Sequence, residues 1–218
     1  MNQKRPPVII FFLISVGVIV LDQAVKLLVH YNMTMGTRGQ IKILGEFFKL
    51  HYLINPGMAF GMELPFDNAK IILTLFRLIA MFAIGYYLYY MYKKGSATGL
   101  LVCIGMILGG AIGNLIDSIF YGVFLDNAPF DAPTPWFYGQ VVDMFYIDIW
   151  EGRIPDWVPL WGGKYMALWP VFNVADASIF IGIAIILIWQ KSFFNEEHDT
   201  EEIQPEASSV NPVESEIS

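Results

Sequence analysis

The chain has 218 residues, of which 56% are hydrophobic and only 15% are charged. So small a share of charged residues excludes a water-soluble globular protein with an ordinary surface and indicates a membrane protein. The net charge of −7 arises in residues 192–218, which contain eight acidic side chains and no Lys or Arg. The remainder has 13 basic and 12 acidic residues, so no basic patch indicates nucleic-acid binding.

Four apolar stretches are long enough to cross a bilayer, which takes about 20 residues, and the absence of water there favours helices. They cover 8–29, 71–92, 97–116 and 171–189. The first follows Lys4 and Arg5, as in a secretory signal peptide, but no small-residue cleavage site follows it. We therefore predict an all-α membrane protein with four transmembrane helices, with one domain at 1–191 and a disordered acidic cytoplasmic tail at 192–218.

Basic residues near the ends of the apolar stretches predict the orientation of the chain. They lie before the first stretch, between the second and the third, and after the fourth: Lys4, Arg5, Lys93, Lys94 and Lys191. The connections at 30–70 and 117–170 are poorer in basic residues. Both termini are therefore expected in the cytoplasm, and both long connections outside it.

Charged residues within the first two stretches need partners. Asp22 and Lys26 lie in the last two turns of the first stretch and, being four residues apart, share a helix face. They form either a self-contained ion pair, with Lys26 reaching the membrane surface, or a brace for a site or a charged lipid headgroup. Arg77 lies two turns inside the second stretch, where we expect a carboxylate or a backbone carbonyl as its partner.

The two outer connections predict different structures. Alternating and β-branched runs at 40–54 predict strands, followed by a turn at Asn55-Pro56-Gly57. We expect a small extracytoplasmic β-sheet that serves as a structural cap or as a substrate cradle. Residues 118–169 hold five of the six Trp residues and several prolines, so this long aromatic-rich extracytoplasmic loop predicts an interfacial platform, a lid or a plain anchoring belt.

The third stretch ends in small and polar residues. The glycine-rich segment 109–113 allows close approach of a neighbouring helix, and Asn114 and Asp117 then share a face. Polar contacts between helices would explain this pair without any functional role. Cys103, the only cysteine, excludes an intrachain disulfide and is predicted to be a small buried hydrophobe.

Asp143 and Asp176 are the strongest candidates for chemistry. Asp176 shares a face with Asn173 at the start of the fourth stretch, and Asp143 lies in the outer connection that can reach the same level. A carboxylate is expensive in a membrane and indicates function by default. Two carboxylates that meet can share a proton and act as acid and base. The three histidines are scattered, so no metal or other cofactor is expected.

Five motifs, in the same order along the chain, resemble those of lipoprotein signal peptidase, also called signal peptidase II. They are Asp22-Gln23-Ala24-Val25-Lys26, Asn55-Pro56-Gly57-Met58-Ala59-Phe60-Gly61, Gly109-Gly110-Ala111-Ile112-Gly113-Asn114-Leu115-Ile116-Asp117, Val141-Val142-Asp143 and Phe172-Asn173-Val174-Ala175-Asp176. Each motif alone is weak, whereas five in order on a four-helix chain are highly specific.

The resemblance implies a membrane aspartic endopeptidase that removes the signal peptide from diacylglyceryl-modified bacterial prolipoproteins, cutting before the lipidated cysteine. It implies that Asp143 and Asp176 are the catalytic aspartates. It also implies an inner-membrane location with the active site near the extracytoplasmic face, a prolipoprotein substrate and membrane lipid as partners, and we expect a monomer. Substrate-binding or supporting positions are expected at Asp22, Lys26, Asn55, Gly57, Gly110, Asn114, Asp117, Asn173 and Ala175.

The chain departs from the family's usual pattern at Ser118, where many members have Arg, and its outer connections are longer than in compact members. Arg77, Arg153 and Lys164 are candidates to replace that Arg. Two other classes of function fit parts of the sequence: a proton-coupled membrane transporter, which also uses intramembrane carboxylates, and a membrane scaffold. The clustering of polar residues at one membrane face favours the peptidase over both.

Overall fold

A computed structural model describes residues 5–57, 69–159 and 162–194. Four long helices dominate this part: α1 Ile9–Asn32, α2 Ala69–Lys94, α3 Thr98–Ile116 and α4 Val174–Ile188. The strands are β1 Ile41–Leu44, β2 Phe48–Asn55, β3 Val141–Ile147, β4 Glu151–Arg153 and β5 Tyr165–Ala167. Residues 58–61 of the second motif, and all but the first three residues of the predicted tail, lie outside the described residues.

Within the described residues, three helices are long and apolar enough to cross a membrane: α1, α2 and α3 with its continuation to Phe124. The fourth, α4, is apolar but shorter. The described part of the chain is thus mostly helical, with three long apolar helices and a small antiparallel sheet. The α-helical part of α3 ends at Ile116, where the sequence placed the end of the third stretch, and a π-helical turn at Asp117–Tyr121 continues the helix. No proline or exposed loop follows Ile116, so a single acidic residue does not end the helix, and Asp117 and Ser118 lie inside it.

Small residues on α3 allow the helices to pack closely, as the sequence predicted. α3 packs against α1, α2 and α4. A Cβ atom placed on Gly109 would lie 2.7 Å from the carbonyl oxygen of Ser15 in α1, and one on Gly110 would overlap the carbonyl oxygen of Ala175 in α4. Cys103 is buried on the same helix and is a free thiol. The backbones of α1 and α4 are therefore held against α3 at the level of the polar residues.

We expect Gly110→Ala to lower the free energy of unfolding by about 1–3 kcal/mol, because the added methyl group overpacks this contact. Gly17→Ala in α1 is the matched control, since a Cβ atom placed there would meet no other element of the described chain within 4 Å and Ala favours helix over Gly. Thermal unfolding of both variants in detergent measures the difference. An equal loss of stability in the two variants would contradict the close-packing account.

The three-stranded sheet has the antiparallel order β1-β2-β3. The predicted strands at 40–54 are confirmed as β1 and β2, whereas β3 was not predicted because Asp143 interrupts an otherwise apolar run. β2 pairs Leu53 with Asp143 and Asn55 with Val141. A register shift between Leu50 and Leu53 marks a bulge beside Asp143, a common way to re-aim a side chain. A separate two-stranded hairpin joins β4 and β5.

An apolar cluster fixes the sheet on the ends of the helices. Val29 of α1, Tyr52 of β2, Tyr121 after α3, and Val142 and Met144 of β3 are buried together. Because Val142 and Met144 point into this cluster, the residue between them points to the opposite face of the strand. That residue is Asp143, and its side chain is thereby directed towards α4.

Candidate active site

Asp143 and Asp176, called the aspartate pair below, come together through two amide side chains. Asn173 donates its Nδ2–H to Asp143 Oδ1 at 2.7 Å, and Asn114 donates its Nδ2–H to Asp176 Oδ1 at 2.8 Å. Asn173 Nδ2 also donates to Asn114 Oδ1 at 3.2 Å. Asp143 is only 2% exposed, whereas Asp176 is half-buried. Residues from α3, β3 and the start of α4 thus form one hydrogen-bonded unit.

The start of α4 fixes the orientation of Asp176. Asn173 is the N-cap residue: its Oδ1 accepts from Asp176 N at 2.9 Å, and its own backbone N–H donates to Asp176 Oδ2 at 3.3 Å. This reciprocal arrangement is a capping box. A carboxylate in the first turn also benefits from the positive end of the helix dipole. The spacing of three residues that was noted in the sequence is therefore the spacing of a cap.

The turn after β2 holds Asp143 from the other side. Asn55 donates its Nδ2–H to Asp143 Oδ2 at 2.8 Å, while its Oδ1 accepts from Gly57 N at 2.7 Å. Gly57 has a φ of 103°, a left-handed conformation that favours glycine. The Asn55-Pro56-Gly57 sequence therefore forms a turn that aims one amide at the aspartate pair.

A buried ion cluster lies beneath the aspartate pair. Lys26 Nζ lies 2.8 Å from Asp22 Oδ2 and 2.7 Å from Asp117 Oδ2, and all three side chains are fully buried. Lys26 also donates to Asn114 Oδ1 at 3.0 Å. The interpretation as a self-contained ion pair, with Lys26 reaching the membrane surface, is therefore wrong. Asp117 approaches from α3, so Lys26 has a partner on each side and no route to the surface.

The two acidic members of this cluster hold the backbone beside the aspartate pair. Asp22 Oδ1 accepts from Ala175 N at 2.8 Å, and Asp117 Oδ2 accepts from Val142 N at 3.3 Å. Ala175 and Val142 each directly precede one aspartate of the pair. Lys26 thus joins two carboxylates that fix the two chain segments carrying the pair.

Burial and the neighbouring carboxylate change the acidity of Asp143. They raise the pKa of Asp143 to about 7, with burial the larger cause and Asp176 the second. The hydrogen bonds donated by Asn55 and Asn173 act in the opposite direction, because they stabilise the charged form. Near neutral pH the aspartate pair can therefore hold one proton, which is what a combined acid and base requires.

A cavity of about 660 Å³ opens beside the pair. Its polar end is lined by Asn55, Arg77, Asn114 and Asp176. Its walls are mainly apolar and include Val141, Ile147, Leu168, Phe172, Phe180 and Ile181. Ligand sites commonly combine apolar walls with a few polar groups that fix orientation. Phe180 and Ile181 are exposed on α4, so the cavity is open on an apolar surface of the helices.

Gln23 belongs to the site, and sequence reasoning did not single it out. Its Nε2 donates to Asp117 Oδ1 at 2.9 Å and to Gly113 O at 3.2 Å, and its Oε1 accepts from the Tyr121 hydroxyl at 2.9 Å. An amide directly beside Asp22, within an apolar helix, is the signal that would have identified it.

An aspartate pair with amide donors, at the end of apolar helices and beside an apolar cavity, is an arrangement suited to aspartic peptidase chemistry in a membrane. The chain belongs to the signal peptidase II family, an aspartic peptidase family whose model matches residues 14–192.

Similar proteins agree with this assignment. The chain is 52% identical over 179 residues to a protein named lipoprotein signal peptidase from Amoebophilus asiaticus, a match that covers 82% of this chain and 76% of the relative. It is 40% identical over 181 residues to the lipoprotein signal peptidase of Porphyromonas gingivalis, which covers 78% and 77%. A bacterial membrane enzyme solved by the in meso method at 2.3 Å has the same fold, with a TM-score of 0.54 at 22% identity over 93% of this chain and 94% of that one.

Proposed function

We propose that the protein removes the signal peptide from prolipoproteins that carry a diacylglyceryl-modified cysteine, cutting immediately before that cysteine. The observation that carries this proposal is the joining of Asp143 and Asp176 through Asn114 and Asn173 in a member of the signal peptidase II family. The relatives named lipoprotein signal peptidase support the substrate class.

The proposed mechanism uses the pair without a covalent intermediate. The deprotonated aspartate takes a proton from a water molecule, whose oxygen attacks the scissile carbonyl carbon. The protonated aspartate donates a hydrogen bond to the carbonyl oxygen. When the tetrahedral intermediate collapses, the C–N bond breaks and the leaving amine receives a proton from the pair. Close carboxylates titrate together, so the resting proton belongs to the pair and not to one residue.

The cavity supports a division of roles along the substrate. Asp176 and Asn55 at its polar end would lie beside the scissile peptide bond. The apolar walls, which include Phe180 and Ile181, would contact the acyl chains of the diacylglyceryl group. A substrate that is anchored in the bilayer by its lipid reaches this cavity from the apolar side.

The finer membrane arrangement is also part of the proposal. Four helices would cross the bacterial inner membrane as one domain at 1–191, with both termini cytoplasmic. Arg5 donates to the carbonyl oxygens of Tyr92 and Ser96, which supports placing the N-terminus beside the short connection between α2 and α3. The aspartate pair lies near the C-terminal ends of α1 and α3, far from Arg5 and from the connection between α2 and α3. This position supports an extracytoplasmic active site. We propose a monomer.

A cleavage assay with purified protein in detergent tests the function. We expect cleavage of a diacylglyceryl-modified prolipoprotein and at least about 10²-fold slower cleavage of the same protein without the lipid, since interactions remote from the reacting bond contribute to rate. Equal rates for both substrates would contradict lipid recognition. Absence of cleavage for several lipidated prolipoproteins would favour a transporter or a scaffold.

We expect Asn55→Ala to move the alkaline limb of the pH–rate profile to higher pH. Activity should fall as pH rises through the pKa of Asp143, about 7, because the pair then loses its shared proton. The Asn55 hydrogen bond stabilises the charged carboxylate, so its loss raises that pKa, by about one to two pH units for a bond of roughly 1.5–3 kcal/mol. Values of kcat/KM across the pH range provide the measurement.

Asn32→Ala is the control for this experiment, because the Asn32 amide donates only to Leu28 O at an exposed position in α1. The profile of this variant should coincide with that of the parent. A shift of the Asn55→Ala limb to lower pH would refute the assigned direction of the hydrogen bond.

A further inference from the structure

The outer end of α2 carries a polar face that no proposed step of the reaction uses. Lys70, Thr74 and Arg77 are spaced by four and three residues, so they lie on one face of an otherwise apolar helix segment. Each donates to a backbone carbonyl of a site connection. Lys70 Nζ donates to Pro56 O at 2.8 Å, Thr74 Oγ1 to Phe137 O at 2.9 Å, and Arg77 Nη2 to Gly57 O at 2.8 Å.

Arg77 is the member of this face that connects to both aspartates. Through Gly57 O it holds the turn in which Gly57 N donates to Asn55, and Asn55 in turn donates to Asp143. A Cβ atom on Gly57 would lie 3.0 Å from Arg77 Nη1, so the guanidinium packs directly against the turn.

The second connection runs through α3. Arg77 Nη1 donates to Ser118 Oγ at 2.6 Å, and the Ser118 hydroxyl donates to Asn114 O at 2.9 Å. Asn114 is the residue whose amide holds Asp176. Ser118 is fully buried, and its small side chain leaves room for a guanidinium that arrives from α2.

The charge of Arg77 also matches its surroundings. Its guanidinium is half-buried, which opposes its charge, and the negative charges of Asp176, Asp117 and Asp143 offset part of that cost. The other candidates to replace the missing Arg lie elsewhere: Arg153 is 71% exposed and pairs with Asp156, and Lys164 is exposed. Arg77 alone of the three contacts the residue at the position of departure.

We propose that Arg77 is a positioning residue for the peptidase reaction, a role that rests on the proposed function. It fixes the position of the Asn55–Gly57 turn relative to Ser118. It thereby fixes the amides of Asn55 and Asn114, which orient Asp143 and Asp176. It takes over, from α2, the place that an Arg at position 118 would occupy. Its side chain also lines the cavity, but the proposed role is exercised through its hydrogen bonds to Gly57 and Ser118.

Three variants test the proposal in the cleavage assay: Arg77→Met, Arg77→Lys and the double variant Arg77→Met/Ser118→Arg. We expect Arg77→Met to lower kcat by about 10²-fold with little change in KM, because small misplacements of reacting groups cost about that much. Arg77→Lys should be intermediate, since an ammonium lacks the planar fork that spans two acceptors. In the double variant the guanidinium stands at position 118, so kcat should be at least about ten-fold higher than in Arg77→Met, because positioning is restored.

Arg5→Met is the matched control. Arg5 also donates to two backbone carbonyl oxygens, those of Tyr92 and Ser96, but at the far end of α2. Its loss should leave kcat unchanged, even where thermal unfolding shows a similar loss of stability to that of Arg77→Met.

Several results would overturn the inference. Unchanged kcat in Arg77→Met would remove the role, and a raised KM with unchanged kcat would make Arg77 a substrate-binding residue instead. A loss of kcat that position 118 does not rescue would assign Arg77 to folding alone. If Arg77→Met does not fold, the lysine and relocated-arginine variants decide the matter. A parent that cleaves no lipidated prolipoprotein would refute the proposed function and this role with it, whereas an active parent with an unaffected variant would refute only the role.

Discussion

Asp143→Asn and Asp176→Asn should each abolish prolipoprotein cleavage while leaving the protein folded and inserted in the membrane. Asparagine keeps the shape of the side chain but can neither accept nor release the proton that the mechanism moves. Each proton-transfer role contributes about 10²–10⁴-fold to the rate. Since one pair performs both roles, we expect a loss at the upper end of that range, measured as kcat/KM on a lipidated prolipoprotein.

Stability provides the control for these two variants. Replacing one of two neighbouring carboxylates with a neutral amide removes like-charge repulsion, but it also sets an NH2 group against a hydrogen-bond donor, since both oxygens of each aspartate accept. The two effects oppose each other, so we expect both variants to remain folded at the temperature of the assay. Asp148→Asn is the matched substitution outside the pair: Asp148 accepts from Lys49 at 2.8 Å in the same outer region and should keep full activity. Retained cleavage in either variant of the pair would refute the assignment of both aspartates.

Lys26→Met should cause the largest loss of stability of any single change considered. It leaves Asp22 and Asp117 fully buried without their shared cation, and breaking a buried ion pair in this way costs about 3–5 kcal/mol. Activity should fall with stability, because the two carboxylates hold the backbone of Ala175 and Val142 beside the pair. The free energy of unfolding in detergent is the measurement.

Lys42→Met is the matched control for the buried cluster. Lys42 pairs with Glu46 four residues away, but both side chains are well exposed, where an ion pair contributes little. This variant should unfold like the parent. A small effect of Lys26→Met would mean that Asp22 and Asp117 are neutral in the folded protein, and it would contradict the description of the cluster as ionic.

Local patterns in the sequence predicted the features that depend on one segment. The apolar stretches predicted the long helices, the alternation at 40–54 predicted β1 and β2, and the glycine-rich segment before Asn114 predicted close helix packing. The spacing of three residues between Asn173 and Asp176 predicted a shared helix face, whereas the capping box itself is seen only in the structure. Each of these features depends on burial, on the alternation of a strand or on the periodicity of a helix. These effects act over a few neighbouring residues.

Partners across the chain could not be predicted in the same way. Lys26 and Asp117 meet only because α1 and α3 pack side by side, and the sequence gives no sign of that pairing. β3 was missed because an ionisable residue within an apolar run does not fit the usual strand pattern. Arg77 contacts Gly57 and Ser118. Both contacts depend on how α2 is rotated about its axis, which tertiary packing decides.

One turnover of a lipidated prolipoprotein in water enriched in ¹⁸O, followed by mass analysis of the products, tests directly whether the aspartate pair activates water for cleavage before the lipidated cysteine. We expect a single cut before the lipidated cysteine and one ¹⁸O atom in the new carboxylate of the released signal peptide, because the pair activates water directly. A cut at another bond, or an unlabelled carboxylate after one turnover, would contradict this mechanism.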